Sequence, residues 1–542
     1  MSRPQGGTEG FLDASTLLAL PPRSARPRCA RTRRQLPLKG EAKLMGDPIS
    51  IPLWLLILIA IFAAWAALDR LLVPSVRWFI RRRVNRVLDE LGTRLDVKIP
   101  EFTLTKRQVL VDRLVHDRAV QAAAAQYAAE NNMPGAVATA TVARYAREIV
   151  PAFNAYFYFR VGYALARRVS RAFYRVRMGH ADDEGLRRIG ANSTPVFVIN
   201  HRSNFDYVLV AFLAMERTAL SYAVGEWARI WPLQSLIKLM GGFFVRRNSR
   251  NPLYRRVLER YVQMATEGGV PQAIFPEGGL SRDGRLREPR LGLLDYILRG
   301  FDPAGERDVA FIPVGINYDR VVEDRTLLLS LDPEAPPRSK LFVLGTTAKF
   351  LLHQLGLALR GRWISGYACV NFGSPISLKA YIAERGIDLR RLSPEARIER
   401  VKALAQDLIA AVSRVVPVLP VPLVAAVFRR RGTLLLDAAD VKAAALDIMS
   451  ELDRAGAITY LPRSDRDYAI ALGLEMLKIR HLVEEEDGLL RINEANRHVL
   501  DYYANSIEHL LPSTADEPAA PIAVASPDAA TPPLPASAAA RG

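Results

Sequence analysis

Between residues 192 and 375, short apolar runs alternate with longer amphipathic stretches. The runs fall at 196–199, 243–245, 273–275, 309–314, 341–344 and 367–372, each bounded by turn-forming or charged residues. Runs this short suit strands buried on both faces, and the stretches between them are long enough for crossover helices. The pattern predicts an α/β core over 190–380: a mostly parallel sheet flanked by helices. A chain of 542 residues has room for this core and for further regions on either side.

Those flanks read differently. Residues 1–44 are rich in Arg, Pro and Ser without periodicity, and are expected to form a disordered leader. Met45, directly before the next segment, is a natural start. Residues 51–68 carry no charge, and at 1.5 Å per residue they just suffice to cross a hydrocarbon core of roughly 30 Å. A transmembrane helix is expected over 49–73, with Trp54 and Trp65 as interfacial anchors. A buried core helix is the bland alternative. A signal peptide is disfavoured, because Arg70, Arg77, Arg81, Arg82, Arg83 and Arg86 follow the apolar run instead of preceding it. The same arginines place the rest of the chain in the cytoplasm by the positive-inside rule. The expected location is therefore a cell inner membrane, crossed once.

Residues 75–185 read as a basic helical region. It opens with an amphipathic surface helix that Gly92 ends, and continues with two to four helices over 105–185. Asn131, Asn132, Pro134 and Gly135 mark one turn there. Residues 381–511 form a C-terminal helical region. Within it, 415–428 is apolar but holds Pro417, Pro420 and Pro422, so core or interfacial packing is expected, not a membrane span. Residues 512–542 are rich in Ala, Pro, Ser and Thr and are expected to be a disordered tail.

A net charge of +18 favours anionic partners: phospholipid surfaces, acidic carrier proteins or phosphorylated substrates. No nucleic-acid-binding signature accompanies it, so no nucleic-acid partner is expected. Cys29 and Cys369 are too far apart in sequence to suggest a metal pattern or a disulfide framework.

The chemistry starts where the first run ends. His201 follows residues 196–199, and Asp206 lies five residues on. Sheets of this class present their sites at the carboxyl ends of strands. There Asp206 can bond one imidazole nitrogen and fix the tautomer, leaving the other as a general base. An Asp in that position also suits a helix cap. Of the seven histidines, His481 alone shares the offset to a carboxylate, Glu486, which belongs to an acidic run.

Three later segments add anion-binding character. In GGFFVRR (241–247) the glycines permit close backbone approach, and strand alternation puts Arg246 and Arg247 on opposite sides, so that one binds an anion. In FPEGGLSRDGR (275–285) the backbone at Gly278 and Gly279 can converge on an anion. Ser281 and Arg282 can bond phosphate or hydroxyl, and Glu277 can accept from a substrate hydroxyl or steady an arginine. The spacing is not that of a Walker loop. In IPVGINYDR (312–320), Pro313 is expected near a strand end, where it costs no ladder bond.

Taken in order, the HX4D pair and these three blocks resemble the glycerolipid acyltransferase superfamily. The HRSxxDY form of 201–207, together with Ser281-Arg282-x-Gly284, Tyr318-Asp319 and YYANSI at 502–507, is most similar to the glycerol-3-phosphate and dihydroxyacetone-phosphate acyltransferases. The resemblance covers roughly residues 140–511. Leu280 stands where the family's third block has Arg, and the NH and FPEG forms at Asn200 and Pro276 are those of lysophosphatidate acyltransferases.

The resemblance implies transfer of a fatty acyl group from acyl-CoA or acyl-carrier protein to the sn-1 hydroxyl of glycerol 3-phosphate, giving lysophosphatidate. His201 would act as general base and Asp206 would orient it. Arg246, Ser281 and Arg282 would hold the phosphate with Glu277 nearby. Gly278 and Gly279 would face the oxyanion, and Pro313 would shape the acyl-donor side. No metal or other cofactor is implied. The expected partners are a phospholipid membrane, the acyl donor and glycerol 3-phosphate. Acylation of lysophosphatidate or of dihydroxyacetone phosphate is the enzymatic alternative, and a membrane-surface lipid-binding scaffold the non-enzymatic one.

Overall fold

The computed structural model describes residues 99–329 and 366–512, apart from 191, 216–217, 247–248 and 388–391, together with part of 52–62. Its contacts divide the chain into Met1–Ser75 and Val76–Gly542. In the first unit the described residues between 53 and 62 are helical, with Leu53, Trp54 and Phe62 among the exposed side chains. Among the described residues no helix is long and apolar enough to cross a membrane. Most of the expected span 49–73 lies outside them, as do the leader, the basic helix at 75–91, the run 341–344, Arg247 and nearly all of the tail.

The second unit begins with helices. Arg107–Val115, Arg118–Glu130 and Gly135–Ile149 pack on one another through Leu110, Leu114, Val120, Ala124, Val142 and Ala146. Asp117 starts the second of them by accepting from the backbone N–H groups of Ala119 and Val120 at 3.0 and 3.2 Å, which satisfies two donors that a helix start leaves unpaired.

One eight-stranded sheet forms the centre. Its strands are β1 (Arg175–Ala181), β2 (Ser193–Ile199), β3 (Ser221–Gly225), β4 (Gly242–Val245), β5 (Gln272–Ile274), β6 (Asp308–Tyr318), β7 (Tyr367–Phe372) and β8 (Ile376–Ser377). The order is β1-β7-β6-β2-β5-β3-β4, with β8 also on β6. From β6 to β4 all neighbours are parallel. β7 and β8 run antiparallel to β6, so the sheet is mixed with a parallel majority.

Strand alternation sorts the core into two layers. On β2, Val196 and Val198 join the cluster formed with the N-terminal helices, Pro252–Glu267 and Pro394–Arg414, while Ile199 joins the opposite cluster. On β6, Val309 and Phe311 face the first layer, and Ile312, Val314, Ile316 and Tyr318 the second. That is the period of two expected of a sheet covered on both faces.

The second layer includes the C-terminal region from Val418 onward, and its centre is the segment with three prolines. Pro420 and Pro422 begin the helix Pro420–Arg431, where their missing N–H groups would have had no helical partner. Residues 420–428 are all buried, under Ala438–Arg454, Arg466–Ile479 and Arg497–Glu508. Leu419, at the capping position, offers no side-chain acceptor. Asp319, at the end of β6, supplies one instead, accepting from Val421 N at 3.0 Å and from Tyr367 N at 2.8 Å. The region also holds an antiparallel hairpin, β9 (Val483–Glu486) with β10 (Leu489–Ile492), where the sequence reading expected helix alone.

Pro313 departs from the expected place. It lies within the eleven-residue strand β6, opposite Val198. On its other side, β8 pairs at Ala310 and Phe311, and β7 takes over at Val314. Pro313 sits in the gap, where its absent N–H costs no ladder bond, and its carbonyl accepts from Gly373 N at 2.8 Å.

Candidate active site

β2 ends at Ile199, and His201 follows two residues later. The turn between is fixed by Asn200. Its amide accepts from Ile316 N at 2.7 Å and donates to Ile316 O at 2.9 Å, so the strand end is clamped to β6. Asp206 opens the helix Asp206–Ala214. Its Oδ2 takes a 2.9 Å bond from His201 Nδ1 and accepts the backbone N–H groups of Arg202 and Ser203 at 2.8 and 3.0 Å. Its Oδ1 accepts the Tyr318 hydroxyl at 2.5 Å. All three side chains are buried. The four donors fix the carboxylate in place, and a carboxylate on Nδ1 holds that nitrogen as the one bearing hydrogen.

The other imidazole nitrogen, Nε2, is buried without a hydrogen-bond partner among the described residues. The ring lies 4.3 Å from that of Phe275 at 33°, and Tyr207 stands edge-on at 5.3 Å. These contacts fix the ring plane, so Nε2 is an oriented acceptor. Neither the capping role nor the catalytic role excludes the other here, because one carboxylate holds both the turn and the imidazole.

The third block wraps this pair. Glu277 accepts from His201 N at 2.8 Å through one oxygen and from Arg287 N at 3.1 Å through the other. It braces the backbone of the histidine turn and of its own loop, where a substrate hydroxyl or an arginine side chain was expected. Burial pushes its carboxyl up to about 7. Ser281 N donates to His201 O at 2.8 Å, and the Ser281 hydroxyl donates to Arg285 O at 2.7 Å. That hydroxyl is tied into the loop, not presented to an anion. Gly278 has φ +66°, and a side chain there would strike Arg290. Gly279 is buried beside it, whereas Arg282 is exposed.

Arg246 is brought elsewhere. It follows β4, three strands from β2, or about 14 Å across the sheet at ordinary strand spacing. Its guanidinium forms a bidentate pair with Glu148 at 2.6 and 2.8 Å, between the rings of Tyr145 and Tyr254. The spacing rule counted its charge but could not see this counterion, which comes from 98 residues away. Arg202 belongs to the HRSxxDY motif but carries no role in the sequence reading. It is buried, donating to Gly284 O and, at 3.0 Å, to Ser506 O of the helix Arg497–Glu508. Gly284 has φ +89°, and a Cβ there would lie 1.9 Å from Tyr502 O. Asn505 donates to Asp283 O at 2.8 Å. The YYANSI segment is thus part of the wall behind the third block.

Tyr318, Asn200 and Glu323 carry no site role in the sequence reading. Glu323 accepts from the Ser203 hydroxyl at 2.6 Å and steadies the same turn. Tyr318 and Asn200 left a signal: each is a polar residue at the end of a buried apolar run. Among the described residues no three His, Cys, Asp or Glu side chains gather as a metal-binding set.

A mixed, mostly parallel sheet with an oriented His–Asp pair at the carboxyl end of a central strand, backed by a Gly-rich loop, has the architecture of an acyltransferase core. Residues 180–317 match the Acyltransferase family, and residues 357–515 match the family described as Glycerol-3-phosphate acyltransferase C-terminal region. The Glycerol-3-phosphate acyltransferase of Pseudomonas entomophila (strain L48) is 30% identical over 449 residues, 79% of this chain and 52% of that protein. That of Pseudomonas putida (strain KT2440) is 31% identical over 426 residues, 75% of this chain and 49% of that protein. Over most of its length the chain is therefore similar to glycerol-3-phosphate acyltransferases, and it carries an acyltransferase domain. It spans about half the length of the curated relatives it matches. Among solved structures, the 1-acyl-sn-glycerophosphate (LPA) acyltransferase from Thermotoga maritima aligns at 19% identity with a TM-score of 0.26, over 46% of this chain and 80% of that one.

Proposed function

We propose that this protein transfers a fatty acyl group from an acyl thioester to the sn-1 hydroxyl of glycerol 3-phosphate. The observation that carries the reading is the buried imidazole whose Nδ1 is held by Asp206 and whose Nε2 is unpartnered among the described residues, in a chain with these relatives. Nε2 takes the hydroxyl proton as the oxygen bonds to the thioester carbonyl carbon. The C–S bond then breaks, and the departing thiolate recovers the proton from the imidazolium. General-base assistance of this kind is worth roughly 10²–10⁴-fold.

The loop around Gly278 and Gly279 is the candidate for the oxyanion, and exposed Arg282 for the phosphate. Glu277 and Ser281 keep that loop on the histidine turn, and Pro313 lies in the strand behind it. Arg246 serves the phosphate only if substrate displaces it from Glu148. The donor is acyl-CoA or acyl-carrier protein, and the enzyme works at a membrane, where its amphiphilic product belongs.

The test is incubation of membranes carrying the full chain with labelled glycerol 3-phosphate and palmitoyl-CoA, then with acyl-carrier-protein thioester, beside His201→Ala. Labelled lysophosphatidate from the wild type alone is the expected result. Product from both proteins would remove His201 from the chemistry. No product with either donor would overturn the acceptor assignment.

A further inference from the structure

Beyond the reaction, one apolar surface stands out among the described residues. After β3, the chain makes a short turn, Glu226–Ala228, and then presents Ile230, Trp231, Pro232 and Leu233 in succession to solvent. Ile230 is 47% exposed, Trp231 83% and Leu233 36%. Scattered exposed apolar residues need no explanation, but four in a row with an indole at the tip make a projecting wedge. Such a Trp, apolar in body and polar at one nitrogen, suits the boundary between water and lipid.

The wedge is flanked by cations. Arg229, the residue before it, pairs with Glu148 at 2.9 Å. Lys238, on the helix Leu233–Leu239 after it, donates to Arg147 O at 3.2 Å, and Arg107 donates to the same carbonyl and to Val150 O. Arg246 shares Glu148. Arg229 and Arg246 thus pair with Glu148, while Lys238 and Arg107 meet at the backbone carbonyl of the exposed Arg147 next to it in sequence; with Glu226 4.0 Å from Arg229, these groups are five cations against two carboxylates. The carbonyl end of the helix Gly135–Ile149 offsets only about half a charge more. Burial, then the nearness of Arg107 and Arg229, lowers the Lys238 ammonium to about 8, as expected where positive charge is crowded.

Placement adds a reason. β2, β5, β3 and β4 are parallel, so their carboxyl ends share one edge of the sheet. His201 follows β2 and the wedge follows β3, two strands away, or about 10 Å across the sheet. We propose that residues 230–233, with the cations of Arg107, Arg147, Arg229 and Lys238, form a docking surface for an anionic phospholipid leaflet, which seats the catalytic edge at the lipid–water boundary. The wedge supplies insertion and the cations supply headgroup phosphate contacts. An acidic protein would satisfy the cations but leave the apolar tip without a cover.

The test uses the full chain with Trp231→Cys carrying a nitrobenzoxadiazole label, in a Cys29→Ser background. Cys369 is buried and does not compete. A label at Asn131→Cys, an exposed polar turn, is the control. Each protein is reconstituted into phosphatidylglycerol/phosphatidylethanolamine vesicles and into phosphatidylcholine vesicles, so attachment through any other segment is common to both. The expected result is a blue shift at position 231 in the anionic vesicles only, lost when Arg147→Glu and Lys238→Glu are added and weakened by salt. A water-like label in anionic vesicles that co-float with the protein overturns the proposal. So does an equal shift at 131, or an equal shift in phosphatidylcholine. A shift produced by acidic carrier protein without lipid would make the surface a protein site instead. Difference quenching by brominated phosphatidylglycerol, wild type against Trp231→Phe, reads the same insertion without a label.

Discussion

Asp206 accepts four hydrogen bonds, and only one of them comes from the imidazole it orients. Three donors hold the carboxylate so that the fourth partner has a fixed direction. His201→Ala should leave the fold intact, because Asp206 keeps its other donors, and should cost at least ~10² in kcat, measured beside an unchanged melting curve. Tyr318 touches no reacting atom and is a positioning residue. Tyr318→Phe removes one hydrogen bond to a charged group, worth roughly 1.5–3 kcal/mol. Its kcat should fall about tenfold, the equivalent of ~1.4 kcal/mol, with KM for glycerol 3-phosphate little changed. A rise in KM alone would show that Tyr318 serves binding and not the His–Asp geometry.

At the scale of elements, the third block owes its shape to helix Arg497–Glu508. Gly284 meets the backbone of Tyr502, Asn505 holds Asp283, and Arg202 reaches across to Ser506. Gly284→Ala puts a Cβ into a carbonyl oxygen at a positive φ, so neither rotamer change nor side-chain repacking relieves it. A stability loss above ~2 kcal/mol in denaturant unfolding, with loss of activity, is expected. Glycerol and high substrate should not restore the rate if the loop has lifted from the helix. The helix Pro420–Arg431 teaches a related point. Its prolines look like breakers in sequence, yet they occupy the first turn, and the segment becomes the most enclosed helix of its layer. The bulk of its stabilisation is burial, roughly 1.5–3 kcal/mol for each large apolar side chain.

For the whole molecule, Asp319 joins the sheet to the C-terminal layer, and burial raises its carboxyl to about 7. An unfolded aspartate titrates near 3.9, so between those values the folded protein holds a proton that the unfolded chain has released. The contribution is complete below about pH 4 and is lost as pH rises through about 7. Glu277 acts in the same direction. Unfolding free energy should therefore decline from pH 5 to pH 7.5 through these two groups, and Asp319→Asn should flatten that slope in urea titrations. An unchanged slope would mean that Asp319 stays ionised in the fold.

The sequence alone determined the local chemistry of this protein. Short apolar runs marked β2, β4, β5, β6 and β7, because burial on both faces leaves a compositional trace. It missed β1, whose charged RVRMGHA hides an edge strand, and β3, whose polar start masks a run buried by its neighbours. The His201–Asp206 pair was legible because five residues of chain suffice to build it. Glu277, Ser281 and Arg246 were legible as polar groups but not as partners, since each is claimed by an atom distant in sequence: His201 N, His201 O and Glu148. Tyr318 on Asp206, Ser506 on Arg202 and Asp319 on Val421 are likewise separated by 112, 304 and 102 residues. Residue type and spacing fix what a group is able to do, while only the packing of distant segments decides which atom it meets, and so which of its capacities is left for substrate.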